Sequence, residues 1–293
     1  GAKKLIKYIV AAEYRRLYDR MSEDKLEEKQ KEQMKSLMSD NMKDTELMTA
    51  LWILSSILKE YYGKKVIILI DEYDVPLDKA FENNYYNEMI ILLRNMLEQS
   101  LKTNDNLYMA VLTGCLRIAR ESIFIGLNNF NIFSITDQYF DEYFGFTDKE
   151  VKEILQYYKV PEAFEQTKKW YDGYRFGNTD IYCPWDVINH CRALKVEPDA
   201  TPQPYWINTS GNYIVKRFIE KANQQTRREI EQLIEGKAIQ KEIRLELTYN
   251  ELDSTIENLW SVLFATGYLT QQGKPQGRTY SLIIPNESIR QIF

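Results

Sequence analysis

The feature that most constrains this chain is an unbroken apolar run, Val66–Ile70, followed directly by two acids, Asp71 and Glu72. Five consecutive aliphatic residues are typical of a strand buried on both faces, as in a parallel sheet that helices cover. A helical stretch separates this run from a second one, Leu107–Leu112, and a third short run spans residues 131–135. Strand, helix and strand at this spacing predict a βαβ unit and therefore an α/β fold.

The two acids are placed for phosphate chemistry. Ligands of open α/β sheets bind beyond the carboxyl ends of the strands, where both acids would lie. In this Walker B arrangement, Asp71 is predicted to hold Mg²⁺ through its water shell, and Glu72 to orient the water that attacks a γ-phosphate. The second run ends at Thr113, which would lie beside Asp71 as a sensor of that phosphate.

Two arginines follow the second apolar run. Arg117 and Arg120 are three residues apart and share a face if the segment is helical. An arginine can neutralise charge that develops on a transferring phosphoryl group. The alternative is a surface ion pair, with Glu121 or Asp137 as the partner.

The rest of the chain divides by its pattern into three parts. Residues 3–62 are predicted to be helical and, with the βαβ unit, belong to a core of residues 1–145. A capping box at Thr147 opens a helical domain of residues 146–244. Residues 245–293 show a helix, a hairpin and a closing helix, which predict a winged-helix-like segment. The aromatic strings WYDGY (170–174) and PWD (184–186) are interpreted as core packing rather than a binding surface.

Composition excludes several classes of protein. The chain has 293 residues, 44% of them hydrophobic and 28% charged, which is ordinary for a soluble globular protein. No apolar run approaches the ~20 residues of a membrane span, and three cysteines are too few for a disulfide framework, so we expect a cytoplasmic protein. The single histidine, His190, precedes Cys191, and neighbours on a helix do not face each other, which disfavours a Cys/His nucleophile.

Several strings together resemble the bacterial AAA-ATPase-like family. They are VIILIDEYDVPL (66–77), LTGCLRIARESIFIGLNN (112–129), WYDGY (170–174), YCPWDVIN (182–189) and YWINTSGN (205–212). The resemblance implies an AAA-type P-loop core, a helical lid and a winged-helix segment. It also implies Asp71 and Glu72 as the Walker B pair and Thr113 as the sensor-1 residue. Members of that family are often followed by a PD-(D/E)XK nuclease-like domain.

The chain departs from that family in one important respect, because it contains no GxxxxGK[ST] motif. The nearest string, Tyr62-Gly63-Lys64-Lys65, precedes a strand, whereas a phosphate-binding loop follows one and opens a helix. The resemblance places the P-loop upstream of residue 1 and the nuclease-like domain downstream of Phe293. We therefore expect an incomplete core that binds ATP weakly or not at all by itself.

Three functions remain open at this stage. The leading one is an AAA-type regulatory ATPase that uses Mg²⁺ and ATP in its intact form and controls a protein partner or the downstream domain. The second is a nucleotide-independent interaction module with a degenerate core, and the third is a metal-dependent nuclease that uses Asp71 and Glu72. Charge does not favour nucleic-acid binding, because the net charge is −5 and residues 245–293 carry three basic and five acidic side chains.

Overall fold

The computed structural model describes residues 1–114, 123–124, 127, 129–208, 213–247, 251 and 254–293. The chain forms two compact units, Gly1–Asn131 and Ile132–Phe293. Within the described residues, no helix combines the length and apolar character that crossing a bilayer requires.

The first unit begins with helices, as the sequence predicts for residues 3–62. The elements are α1 (Ala2–Tyr18), a 3-10 turn (Glu23–Lys25), α2 (Glu28–Leu37) and α3 (Asp44–Tyr62). Their buried side chains, among them Met34, Leu47 and Ile57, form the core between the helices. Helix α3 ends at Gly63, whose φ of +66° lies in the left-handed region, and glycine suits that position because it has no Cβ.

The predicted βαβ unit is present in the first unit. It consists of β1 (Val66–Ile70), α4 (Val75–Glu82), α5 (Tyr86–Leu101) and β2 (Leu107–Leu112). The two strands are parallel, with Ile67 opposite Met109 and Ile70 opposite Leu112. Parallel neighbours need a long crossover, which α4 and α5 supply. Helix α3 packs against α5 and contacts β1.

One face of the sheet is exposed in the part of the chain that the structure describes. The side chains of Ile67 and Leu69 are 55% and 73% exposed, and their cross-strand partners Met109 and Val111 are exposed as well. The prediction that β1 is buried on both faces is therefore wrong for this chain. Among the described residues, no further strand pairs with β1 or β2.

The predicted strand at 131–135 is also wrong. Its backbone groups bond to loop and turn residues instead of a neighbouring strand, since the Ser134 amide donates to the Asp137 carboxylate over 2.7 Å. The Ile135 carbonyl accepts a hydrogen bond from the amide of Gly177, at 2.9 Å. A short apolar run forms a strand only where a ladder partner lies beside it, and this run has turn partners.

The second unit is a mixture of helices and short antiparallel sheets. Its elements are α6 (Asp148–Tyr158), α7 (Phe164–Tyr171), β3 (Tyr174–Phe176), β4 (Thr179–Ile181), α8 (Pro184–Val196), α9 (Tyr213–Lys221), α10 (Gln224–Ile234), β5 (Ile239–Glu242), α11 (Ile256–Ala265), β6 (Thr270–Gln271), β7 (Thr279–Ile283) and α12 (Glu287–Arg290). The capping box at the start of α6 is confirmed, because the Thr147 hydroxyl accepts the Glu150 amide and the Glu150 carboxylate accepts the Thr147 amide.

The last part of the chain forms a three-stranded antiparallel sheet in the order β5–β7–β6, with α9, α10 and α11 around its core. Two hydrogen bonds connect this sheet region to the segment that runs from the end of α7 into β3. The Arg175 amide donates to the Thr270 hydroxyl at 2.8 Å, and the Asn286 side-chain amide donates to the Asp172 carbonyl at 2.9 Å. The division into 1–145, 146–244 and 245–293 stays a prediction, although β5 precedes residue 245 and pairs with β7 beyond it.

Candidate functional site

The candidate site lies at the carboxyl ends of β1 and β2. The ladder continues one step beyond the strands, because the Thr113 amide donates to the Ile70 carbonyl at 2.9 Å and the Tyr73 amide donates to the Thr113 carbonyl at 3.0 Å. Asp71 and Glu72 are the two residues between these bonds. The chain therefore leaves the sheet at Asp71 and Glu72, and the backbone of Thr113 is hydrogen-bonded to the residues directly before and after these two acids.

The structure brings Asp71 and Thr113 together. The Thr113 hydroxyl donates a hydrogen bond to Oδ1 of Asp71, and the Asp71 side chain is exposed to solvent. A carboxylate and a hydroxyl side by side, with solvent access, form an oxygen-rich position at the edge of the sheet. The parallel register of the two strands explains this contact, since it ends both strands at the same level.

Glu72 has an unusual backbone conformation. Its φ of +52° lies in the left-handed region, which non-glycine residues rarely adopt. The turn is closed on its far side by the Val75 amide, which donates to the Glu72 carbonyl at 3.1 Å at the start of α4. Such conformations cost free energy and concentrate at functional sites. The side chain is exposed next to Asp71.

Two residues that the sequence reasoning did not select support this turn. A Cβ at Gly114 would lie 2.7 Å from Cε1 of Tyr73 and 2.8 Å from Oδ1 of Asp74, so only glycine fits there without displacement. Asp74 is buried at the N-cap of α4. A signal was present in the sequence, since Asp74 precedes a Val-Pro pair of the kind that begins helices.

The arginine predictions cannot be placed. Arg117 and Arg120 lie outside the described residues, and their proposed role in neutralising phosphoryl charge stays a prediction.

The oxygen ligands at the site suit some metal ions better than others. Among the described residues, no three His, Cys, Asp or Glu side chains lie close enough together to hold a metal by themselves. Mg²⁺ does not need such a cage, because it commonly binds one or two protein oxygens and takes its other ligands from water and phosphate. Asp71 with Thr113 fits that requirement, whereas a nuclease site built on several acids receives no support from the described residues.

A second group of ionisable residues is buried in the other unit and is a poor candidate for catalysis. Oδ1 of Asp186 accepts the Trp206 amide at 2.9 Å, and burial raises the pKa of this carboxyl to about 6. His190 is fully buried, neither of its ring nitrogens has a partner in the described part of the chain, and burial lowers its pKa to about 4. Burial raises the pKa of Cys191 to about 11, so this thiol is not an activated nucleophile.

One comparison with known proteins bears on the first unit. Residues 6–124 match the model of a family described as predicted AAA-ATPase, a stretch that contains Asp71, Glu72 and Thr113. This match supports the AAA-ATPase-like resemblance for that part of the chain. An uncharacterized protein in the vnfD 5' region of Azotobacter chroococcum mcd 1 is 27% identical over 152 residues, which are 50% of this chain and 27% of the relative. The match thus spans about a quarter of the relative's length, and no solved structure matches.

Proposed function

We propose that this chain is the Walker B half of an AAA-type regulatory ATPase, with Mg-ATP bound at the carboxyl ends of β1 and β2. The observation that carries the proposal is the hydrogen bond from Thr113 to Asp71 at the ends of two neighbouring parallel strands. The exposed Glu72 beside it and the family match over residues 6–124 support the same site.

Each residue of the site has a distinct proposed role. Asp71 binds the water shell of Mg²⁺, which when bound screens the phosphate charges. Glu72 orients the attacking water and accepts its proton, and its left-handed backbone turns it out of the strand direction. Thr113 reads the phosphate through the hydroxyl that otherwise holds Asp71. Arg117 and Arg120 neutralise phosphoryl charge in this proposal, and Cys/His chemistry takes no part.

The phosphate-binding loop is proposed to precede residue 1. The chain has no GxxxxGK[ST] motif, so the backbone amides and lysine that bind the triphosphate are missing. The uncovered face of the sheet supports this proposal, because parallel sheets are normally covered on both faces and the exposed side chains of Ile67, Leu69 and Val111 are apolar. A strand and helix added on this side would bury them.

The second unit is proposed to relay nucleotide state to a protein partner or to a downstream nuclease-like domain. The element order α9, α10, β5, α11, β6, β7 with sheet order β5–β7–β6 supports a winged-helix-like interpretation. Its helix α11 does not suit a DNA groove, because residues 258–264 are buried and Glu257 is the one charged residue of the helix. A protein partner is therefore the better proposal than duplex DNA.

A nucleotide-independent interaction module is the competing proposal, and the upstream sequence distinguishes the two. Our proposal expects a predicted strand followed by GxxxxGK[ST] and a helix before residue 1. A natural upstream sequence without that motif would favour the interaction module.

The experiment is an ATPase assay on a chain that carries the proposed upstream strand and phosphate-binding loop. We expect Mg-dependent turnover that Glu72→Gln abolishes while ATP binding is retained. Glu88→Gln serves as the matched control, because Glu88 is an exposed glutamate in the first turn of α5. Turnover that survives Glu72→Gln would overturn the assignment of the catalytic base. Residues 1–293 alone should show no turnover above background.

A further inference from the structure

The beginning of the second unit presents an exposed group of aromatic side chains that the nucleotide proposal does not use. These side chains and the acids between them form what we call the aromatic–acidic surface. It comprises Phe133, Asp137, Tyr139, Phe140, Asp141, Glu142, Tyr143 and Phe144. Large contiguous groups of exposed apolar side chains mark interaction sites on soluble proteins.

The rings are in contact with one another. Ring centroids lie 5.4 Å apart for Phe133 and Tyr139, 5.2 Å apart for Phe133 and Phe140, and 6.1 Å apart for Phe140 and Tyr143. Tyr139 is 71% and Tyr143 is 80% exposed, although neither is isolated. Phe133, Tyr139, Phe140 and Tyr143 therefore form a connected group of solvent-exposed rings.

The segment that carries the rings is hydrogen-bonded to the neighbouring hairpin of β3 and β4, through one backbone carbonyl and one side-chain carboxylate. The Gly177 amide donates to the Ile135 carbonyl at 2.9 Å, and the Asn178 amide donates to Oδ2 of Asp141 at 3.1 Å. A Cβ on Gly177 would lie 2.5 Å from the Asp137 carbonyl oxygen, so the hairpin turn touches the segment directly. A surface fixed in this way loses little conformational entropy when a partner binds.

Phe140 provides a second, independent sign of function. Its φ of +66° puts a bulky aromatic residue in the left-handed region, where non-glycine residues are uncommon. This conformation costs free energy, and burial of the ring does not offset that cost, because the Phe140 side chain is half exposed. Strain of this kind is typical of segments that position side chains for binding.

Charge decides which partner fits the surface. Residues 131–146 contain three acids and no lysine or arginine. Carboxylates repel the phosphates of nucleic acids and of anionic membranes, and they attract cations. Aromatic faces also attract cations, and arginine in particular stacks on them.

We propose that the aromatic–acidic surface binds a basic, arginine-containing segment of a partner protein. Guanidinium groups stack on the rings of Tyr139 and Tyr143, while the exposed carboxylate of Glu142 pairs with the same segment. This interaction does not depend on nucleotide, so it can be tested on residues 1–293.

The test measures fluorescence anisotropy of a labelled peptide of six Arg-Gly repeats, with Lys-Gly and Glu-Gly peptides of equal length for comparison. We expect saturable binding of the Arg-Gly peptide, weaker binding of the Lys-Gly peptide and none of the Glu-Gly peptide. The double variant Tyr139→Ser/Tyr143→Ser should weaken the Arg-Gly affinity about tenfold without changing net charge.

Two matched controls separate this surface from general charge attraction. Tyr62→Ser/Tyr157→Ser removes two tyrosines of similar exposure elsewhere and should leave the affinity unchanged. Glu142→Lys should weaken binding more than Glu162→Lys, which makes the same charge change at another exposed position. Equal effects of the two members of either pair would overturn the proposal, and so would tighter binding of oligothymidine than of the Arg-Gly peptide.

Discussion

Asp186 and His190 are predicted to give the second unit two opposite dependences of stability on pH. The pKa of His190 falls from 6.5 to about 4 because burial disfavours the charged ring. The unfolded chain therefore takes up a proton below about pH 6.5 that the folded chain refuses until about pH 4. The stabilising contribution of the neutral ring is present above that range and is lost as pH falls through it.

The carboxyl of Asp186 acts in the opposite direction. Burial raises its pKa from 3.8 to about 6, so the folded chain keeps a proton that the unfolded chain has already released. This contribution is complete below about pH 4 and is lost as pH rises through about 6. Between these limits the two slopes oppose each other, and we expect the free energy of unfolding of the natural chain to vary little.

Single substitutions should reveal each slope. A shift of about two pKa units corresponds to ~3 kcal/mol, which we reduce to about 2 kcal/mol for partial screening by solvent. Asp186→Asn keeps an oxygen that can accept the Trp206 amide. The unfolding free energy of this variant, compared with that of the natural chain, should therefore increase by about 2 kcal/mol as the pH rises from about 4 to about 7. For His190→Leu, the unfolding free energy compared with that of the natural chain should increase by a similar amount as the pH falls from about 7 to about 4.

The assay is urea unfolding at several pH values across that range, followed by tryptophan fluorescence. Asp199→Asn provides the control, because Asp199 is an exposed aspartate in the loop after α8. Stability differences from the natural chain that stay constant with pH in both variants would refute the reasoning. Differences that change in the reverse directions would refute it as well.

Three further predictions concern close packing and charge. Gly114→Ala should lower the free energy of unfolding by about 1–3 kcal/mol, measured in urea, because the new methyl group meets Tyr73 and Asp74 below the candidate site. Gly173→Ala should lower the melting temperature clearly more than Gly273→Ala. Both glycines have positive φ, but a Cβ on Gly173 would lie 2.2 Å from the Pro285 carbonyl oxygen, whereas Gly273 has open space. Lys168→Met should cost about 0.5–1 kcal/mol near neutral pH, because it removes partly exposed ion pairs of 2.8 Å to Asp148 and 3.6 Å to Asp172. Its cost should decrease in acid as the carboxylates are protonated, and an undiminished cost at low pH would contradict the ion-pair explanation.

The sequence predicts local features best where one residue type decides the outcome. Gly63 ends α3 because its conformation suits glycine, and Thr147 begins α6 through a side-chain bond within three residues. The βαβ unit was also predictable, because two aliphatic runs at this spacing have few other arrangements. Residues 131–135 show the limit of this reasoning. They are apolar enough for a strand, but the hydrogen-bond partners that decide the matter come from Asp137 and Gly177.

The hairpin of β3 and β4 was missed for a related reason. Its strands have three residues each, too few to show an alternating pattern. The Gly177-Asn178 pair between them was the available signal, since two-residue hairpin loops favour glycine and asparagine.

The candidate site was partly predictable. The position of Thr113 beside Asp71 follows from two parallel strands of known ends, and the structure places the two side chains in contact. The left-handed backbone of Glu72 and the tight fit of Gly114 were not predictable, because both depend on how the two loops pack against each other. The functional roles of these residues stay predictions.

The most direct measurement for the central claim is calorimetric titration with Mg²⁺ and a non-hydrolysable ATP analogue. It should be made on residues 1–293 and on a longer chain that carries the proposed upstream strand and phosphate-binding loop. The proposal predicts no saturable binding to residues 1–293, and Mg-dependent binding to the longer chain that Asp71→Asn weakens at least about tenfold. Binding to the longer chain that is indifferent to Asp71→Asn would contradict a nucleotide site at the ends of β1 and β2.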